Sequence, residues 1–237
     1  MRYTVSVFLF LCMACSQPKP APVEEETDAL PSPLASNDYT QLLARFKPIV
    51  FDTLKVVLPD KLGDGKGDLY KGVPLDSLEV KVMFPEESGS KNGESRFFAV
   101  YRFEIDDIKM GLLVRGPSHY ESSSIRFLVY HKQKNRFINY GQLADSWGDG
   151  GYAETQTAWL FKTKEQEWQS FVWVKEMAEK EADKSDTTRH TAPDSMEVRN
   201  RYSLLELAGF RLDTLSTNTT VLLRDFGHLV KKEGTGY

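Results

Sequence analysis

From residue 97 to residue 116, apolar side chains recur at nearly every second position on both sides of an Asp106-Asp107 pair. A period of two sustained over that length specifies two antiparallel strands and a tight turn rather than an amphipathic helix. With Asp106 and Asp107 as a two-residue turn, Ile105 is expected to face Ile108, Phe103 to face Met110, Tyr101 to face Leu112 and Ala99 to face Val114. The same logic predicts a second hairpin from 124–131 and 136–141 around Lys132–Asn135, and a third from 155–162 and 168–174 around Thr163–Glu167. Leu78, Val80, Val82 and Phe84 alternate with Glu79 and Lys81, and further strand-like runs fall at 49–58, 203–213 and 218–224. Together these give about ten closely spaced strands, the pattern of a mainly β chain, α+β at most. The expected architecture is an antiparallel sandwich, barrel or curled sheet.

Two helical segments interrupt the pattern. Ser36, Asn37 and Asp38 are cap candidates for a short N-terminal helix whose stripe is Tyr39, Leu42, Leu43 and Phe46, and Pro48 ends it. The Glu176/Lys180 spacing predicts a polar helical excursion near 175–184, followed by a loop rich in Thr, Asp and Pro up to about residue 200. The expected domain of 39–237 is therefore single and mainly β.

Ahead of it, Arg2, the apolar run from Tyr3 to Met13 and Ala14-Cys15-Ser16 have the layout of an export signal over residues 1–14. A cysteine directly after a small residue resembles the lipobox of bacterial lipoproteins, with Cys12 standing where such boxes usually carry leucine. The resemblance covers about 20 residues and implies that Cys15 is lipidated and becomes the mature N-terminus. It also implies a cell-envelope location, at the outer membrane on its periplasmic face or at the cell surface. Since Cys12 and Cys15 are the chain's two cysteines, the mature domain then holds no free thiol. Disulfides within the chain, cysteine zinc sites and cysteine nucleophiles are excluded on that reading. Residues 15–38 carry Pro18, Pro20, Pro22, Pro31 and Pro33 among Glu24, Glu25, Glu26 and Asp28, a tether composition that reaches roughly 70 Å when extended.

Charge excludes one class of partner. The formal net charge is −4, and losing Arg2 with the signal makes it more negative, so no basic field exists to displace counterions from a nucleic acid.

The stretch from Leu143 to Tyr152 is the most unusual, because Gly148, Gly150 and Gly151 sit beside Trp147, Tyr152, Asp145 and Asp149. A loop of that composition can stack a sugar ring on Trp147 and Tyr152 and bond its hydroxyls through Asp145 and Asp149. The plainer expectation is a tight turn whose Trp147 plugs the end of the sheet. Asp60–Asp68 resembles a calcium loop but has Leu62 and Lys71 where oxygen ligands belong, so a polar glycine-rich turn is expected. His119, His131, His190 and His228 show no paired spacing, and Ser118 beside His119 lacks the surrounding motif of a hydrolase. No catalytic residue, metal or cofactor is assigned.

These readings lead to a lipid-anchored envelope protein, not an enzyme, that binds a macromolecular partner or assists an envelope assembly. The membrane is its partner through the lipid on Cys15, and an envelope protein or glycan is the expected second one. The alternative is an exported carbohydrate-binding protein or hydrolase using the 145–152 loop.

Overall fold

The computed structural model describes residues 36–58, 67–87, 90–91, 94–117, 123–179, 196–207 and 213–231. All of them belong to one compact unit spanning Ser32–Tyr237. The signal, Cys15 and most of the tether, the Asp60–Lys66 part of the glycine-rich turn, Ser118, His119 and His190 lie outside the described residues.

The chain opens with α1 (Ser36–Ala44), then β1 (Lys47–Pro48), β2 (Thr53–Val56), a 3-10 turn at Gly67–Tyr70, β3 (Val73–Pro74) and α2 (Ser77–Met83). Two short strands follow, β4 (Ser90–Lys91) and β5 (Glu94–Ser95), which pair with each other. The main strands are β6 (Phe98–Glu104), β7 (Lys109–Gly116), β8 (Ser124–His131), β9 (Arg136–Asp149), β10 (Tyr152–Lys162), β11 (Trp168–Glu179) and β12 (Met196–Glu206). The edge strand β13 (Asp213–Ser216) and α3 (Thr219–Lys231) complete the described chain. Eleven strands join in one sheet in the order β1-β6-β7-β8-β9-β10-β11-β12-β13, with β3 added to β6 and β2 added to β10. The pairing is antiparallel throughout except for β1 beside β6. The mainly β fold with a short N-terminal helix is as expected.

The sheet is folded over on itself. Five strand steps separate β6 from β11, a span of roughly 24 Å in a flat sheet. Yet the rings of Phe103 on β6 and Trp168 on β11 lie 4.8 Å apart. Strand β9 makes the bend possible: its first part pairs with β8 from Arg136 to Ala144, and its last five residues pair with β10. The register slips twice where β9 runs beside β8, and Gly141, opposite Phe127, has a φ of 124°, which a side chain would resist.

Between the two halves lies a core of Val56, Tyr101, Phe103, Leu113, Phe127, Val129, Leu160, Trp168 and Val172. On the far side of the first half, Leu42 of α1, Phe46 just after it, and Val80 and Met83 of α2 lie over Phe97, Leu112, Val114 and Leu128. On the far side of the second, Leu222 and Phe226 of α3 meet Trp159 and Phe171. The order of layers is helices, half-sheet, half-sheet, helix, and strands β7 and β8 are largely buried on both faces.

That double burial overturns the expected register of the first hairpin. Its turn is four residues, Ile105–Ile108, in which the Asp106 carboxylate accepts the N–H groups of Ile108 and Lys109 at 2.9 and 2.8 Å. Phe103 faces Gly111, Arg102 faces Leu112 and Tyr101 faces Leu113, and an irregularity next to Val100 restores only the Ala99–Val114 pair. The physical reason is the absence of a side chain at Gly111, whose place the end of the Phe103 ring occupies. The second and third hairpins stand where expected.

Three segments change type. Residues 77–83 are helix α2, not a strand, because Asp76 and Glu79 form a reciprocal capping box: the Asp76 side chain accepts the N–H of Leu78 and Glu79, and Glu79 accepts that of Asp76 at 2.8 Å. Residues 219–224 open α3, whose apolar positions 222, 226, 229 and 230 repeat at helical spacing only beyond the short window that resembled a strand. The polar helical excursion near 175–184 is also corrected for its described part, since Lys175–Glu179 continue β11, with Lys175–Ala178 paired to both β10 and β12 and Glu179 to β12. The charges there answer across strands instead of along a helix, with Arg201 bridging Glu154 and Glu176. Residues 180–184 lie outside the described residues.

Candidate functional site

Two places in the described fold gather side chains beyond what packing requires. The first is built by the segment Pro48–Asp52, which leaves β1 on the edge of one half-sheet and delivers β2 to β10 in the other. It is tied at its start by the Ile49 N–H, which donates to the Arg102 carbonyl at 2.9 Å. Phe51 anchors it, with its ring edge-on to Phe103 at 5.1 Å and to Trp168 at 5.2 Å. Beside this aromatic cluster lies an open cleft of about 620 Å³, in the size range of a small-molecule or short-peptide site.

The cleft is half apolar and half polar. Phe51, Phe103, Met110 and Trp168 line it together with Asp52, Arg102, Lys162 and Gln166. Of its carboxylates, Glu104 is engaged by Lys132. Arg102 and Lys162 have no carboxylate partner among the described residues, although the Lys162 ammonium lies 5.8 Å from the Trp168 ring. Trp168 is 5% exposed, and its indole N–H finds no acceptor. A buried donor left unpaired costs of the order of 1–3 kcal/mol. Gln166, on the lip, holds a φ of 69°, unusual for a residue with a side chain, and closes the turn by donating its N–H to Thr163. Val50 stands fully exposed on the rim.

The second place is the 145–152 segment. It is a hairpin rather than a loop: β9 and β10 pair up to Asp149 and Tyr152, and Gly150 and Gly151 alone make the turn, with φ of 55° and 86°. Both positive values match the two-residue turn that right-twisted strands favour. The Trp147 and Tyr152 rings meet at 4.8 Å with a tilt of 36°. Both are half-buried, so Trp147 is not the enclosed plug expected. Asp149 is exposed, and Asp145 turns to its own strand, accepting the Ser146 N–H at 2.9 Å.

Residues the sequence did not single out complete this face. Arg201 reaches Glu154 at 3.0 Å and Glu176 at 2.5 Å, and Glu154 and Glu176 stand directly opposite each other. Loss of solvent, then the nearby carboxylates of Glu176 and Glu154, holds the Tyr152 phenol above its ordinary range, so it remains a neutral donor.

The histidines divide. His131 is buried at the end of β8, where its Nδ1 accepts the Lys134 N–H at 3.3 Å. Burial first, then Lys134 and Arg136, lowers its pKa and keeps the ring neutral. His228 lies exposed on α3. Among the described residues, no group of three or more His, Cys, Asp or Glu side chains is placed to hold a metal ion.

Neither the cleft nor its cations had a sequence signal. Phe51, Arg102, Lys162 and Trp168 come from four separate segments and meet only because the sheet folds over. Comparisons with family models, with curated proteins and with solved structures found no match to this chain.

Proposed function

We propose that the protein is a lipid-anchored binding protein of the cell envelope, without chemistry of its own, that holds a macromolecular partner in the cleft at the end of the folded sheet. The observation that carries this reading is the composition of the cleft: an aromatic floor of Phe51, Phe103 and Trp168 beside the uncompensated cations Arg102 and Lys162. Aromatic area supplies affinity, and unpaired charge on a rim supplies selection. The lipid on Cys15 would hold the domain at the outer membrane, and the proline-rich tether would set how far from the bilayer it can search.

Two measurements test the reading. Cys15→Ser should move the protein from the membrane pellet to the soluble fraction, and a variant that stays in the pellet would remove the anchor. A photo-crosslinking amino acid at Val50, on the exposed rim, should give a discrete adduct in intact envelopes, whereas one at the exposed Lys164 should not. Equal adducts from both positions would count against the cleft as the partner site.

A second reading has its own support, since Trp147 and Tyr152 present paired half-exposed rings beside Glu154, Glu176 and Arg201, a set suited to a sugar face and its hydroxyls. On that reading, Trp147→Ala abolishes retention on immobilised envelope glycan while costing only about 1–2 kcal/mol of stability, because the side chain is only partly buried. Retention unchanged by Trp147→Ala would remove it.

A further inference from the structure

The cleft can be asked what it would hold. A purely apolar guest, such as the middle of an acyl chain, would leave half of this lining without a use: Arg102, Lys162, Asp52 and Gln166 would be covered and desolvated with nothing to bond. A purely ionic guest would leave Phe51, Phe103 and Trp168 idle. The guest therefore combines one bulky apolar group with an adjacent anion and with further polar groups.

The sign of the anion follows from the charges left over. Glu104 is engaged by Lys132, so the charges at the cleft without partners among the described residues are Arg102, Lys162 and Asp52, an excess of one positive charge. Lys162 lies on the indole side, 5.8 Å from the ring of Trp168, which places a cation next to the aromatic floor. The guanidinium of Arg102 offers the planar fork that a carboxylate matches with two parallel hydrogen bonds. Asp52 and the Gln166 amide remain to bond donors such as peptide N–H groups. The cleft is open on one side, so a chain can leave it, and its volume suits a few residues rather than a folded surface.

We propose that the cleft is a receptor for the C-terminus of a polypeptide. The last side chain, large and apolar, would pack against Phe51, Phe103 and Trp168. The terminal carboxylate would be drawn by Arg102 and Lys162, and the preceding amides would run out past Asp52 and Gln166. This rests on the reading of the cleft as the partner site and names what the partner presents to it.

The test uses the mature domain and a pool of N-acetylated hexapeptides randomised at every position. It is run once with free carboxyl termini and once with the same pool amidated, and retained peptides are identified by mass spectrometry. The acid pool should be enriched in peptides ending in Phe, Leu, Ile or Met, and an enriched peptide resynthesised as its amide should bind at least tenfold more weakly. Combined Arg102→Gln and Lys162→Gln should lower the affinity of the acid at least tenfold with an unchanged melting temperature, since neither side chain has an ion-pair partner among the described residues. Lys164→Gln, which removes one positive charge two residues from Lys162 and off the cleft, should leave it unaltered.

Equal recovery from the acid and amide pools would overturn the proposal. So would binding of dodecanoate with no peptide enriched, which would assign the cleft to a free amphiphile. If Val50 crosslinks to a partner in envelopes while acid and amide peptides score alike, the binding reading stands and the C-terminal guest falls. If acid peptides are selected but Val50 finds no envelope partner, the guest chemistry stands and the envelope role falls.

Discussion

Gly111 makes the most exacting prediction, because a single methyl group there tests both the register of the first hairpin and the closure of the sheet. In strand β7, Gly111 faces Phe103, and a Cβ built on it would come within 2.4–2.9 Å of three atoms of the Phe103 ring, closer than van der Waals contact allows. The ring has nowhere to retreat. It is 4% exposed and packed against Trp168 at 4.8 Å, Phe51 at 5.1 Å and Phe127 at 6.0 Å. In an open strand Gly→Ala would stabilise by up to about 1 kcal/mol through lost backbone entropy. Here forced overpacking, typically 1–3 kcal/mol, opposes that gain and exceeds it. Urea denaturation of Gly111→Ala should therefore show a net loss of about 1–2 kcal/mol with the slope unchanged. Phe103→Ala alone should cost about 3–5 kcal/mol, and adding Gly111→Ala to it should then cost nothing further or stabilise slightly, because the obstructing ring is gone. If Gly111→Ala is neutral in the presence of Phe103, or if the two losses add, the ring does not lie over that glycine and the register is wrong.

Three further outcomes are expected. Gly227→Ala, in the middle of α3 where a Cβ would meet nothing closer than 3.9 Å, should raise stability by about 0.5–1 kcal/mol in the same urea assay. Gln166→Gly should stabilise by about 1 kcal/mol by releasing the left-handed backbone at φ 69°, read as a rise in melting temperature. At Asp106, loss of solvent pushes the carboxyl up, but the amides of Ile108 and Lys109 and the Lys109 ammonium together hold it below its ordinary value. A carboxyl depressed in the folded state adds stability above its unfolded pKa of about 3.9 and loses it as pH falls through the lower folded value. The stability gap between the native protein and Asp106→Asn should thus be constant near neutrality and close below about pH 4.

Period-two alternation carried the fold class and the second and third hairpins, because one residue in two must face a core wherever a sheet has a single wet side. It failed for the first hairpin for the opposite reason. Strands β6 and β7 are covered on both faces, so Leu112 and Leu113 are both buried and the pattern no longer distinguishes one register from the next. The tie is broken by Gly111 under Phe103, a contact that reads in sequence only as a strand glycine. Helix α2 has a local signal in the capping-box spacing of Asp76 and Glu79, but the apolar alternation of Leu78, Val80, Val82 and Phe84 over the same residues reads as a strand. At the 145–152 segment the three glycines signalled a turn without placing it. Gly148 lies within a strand, and only Gly150 and Gly151 turn. The partners of Trp147 and Tyr152 on that face, Glu176 and Arg201, belong to strands β11 and β12, beyond the reach of any local pattern.

The junction of β2 with β10 has a bearing on how the chain reaches its native state. Thr53–Val56 dock against Ala158–Phe161, partners about a hundred residues apart, and among the described residues no nearer strand pairs with them. Loop closure over that distance must be completed before the contact returns any free energy, which makes it a late event in a slow, topologically complex search. A chain emerging from its N-terminus would thus present Phe51 and Leu54 uncovered until most of the domain had followed. Of all its apolar groups, the aromatic anchor of the cleft would be among the longest exposed, so a holding chaperone that shields residues 49–58 would act at the step where aggregation competes most directly with folding.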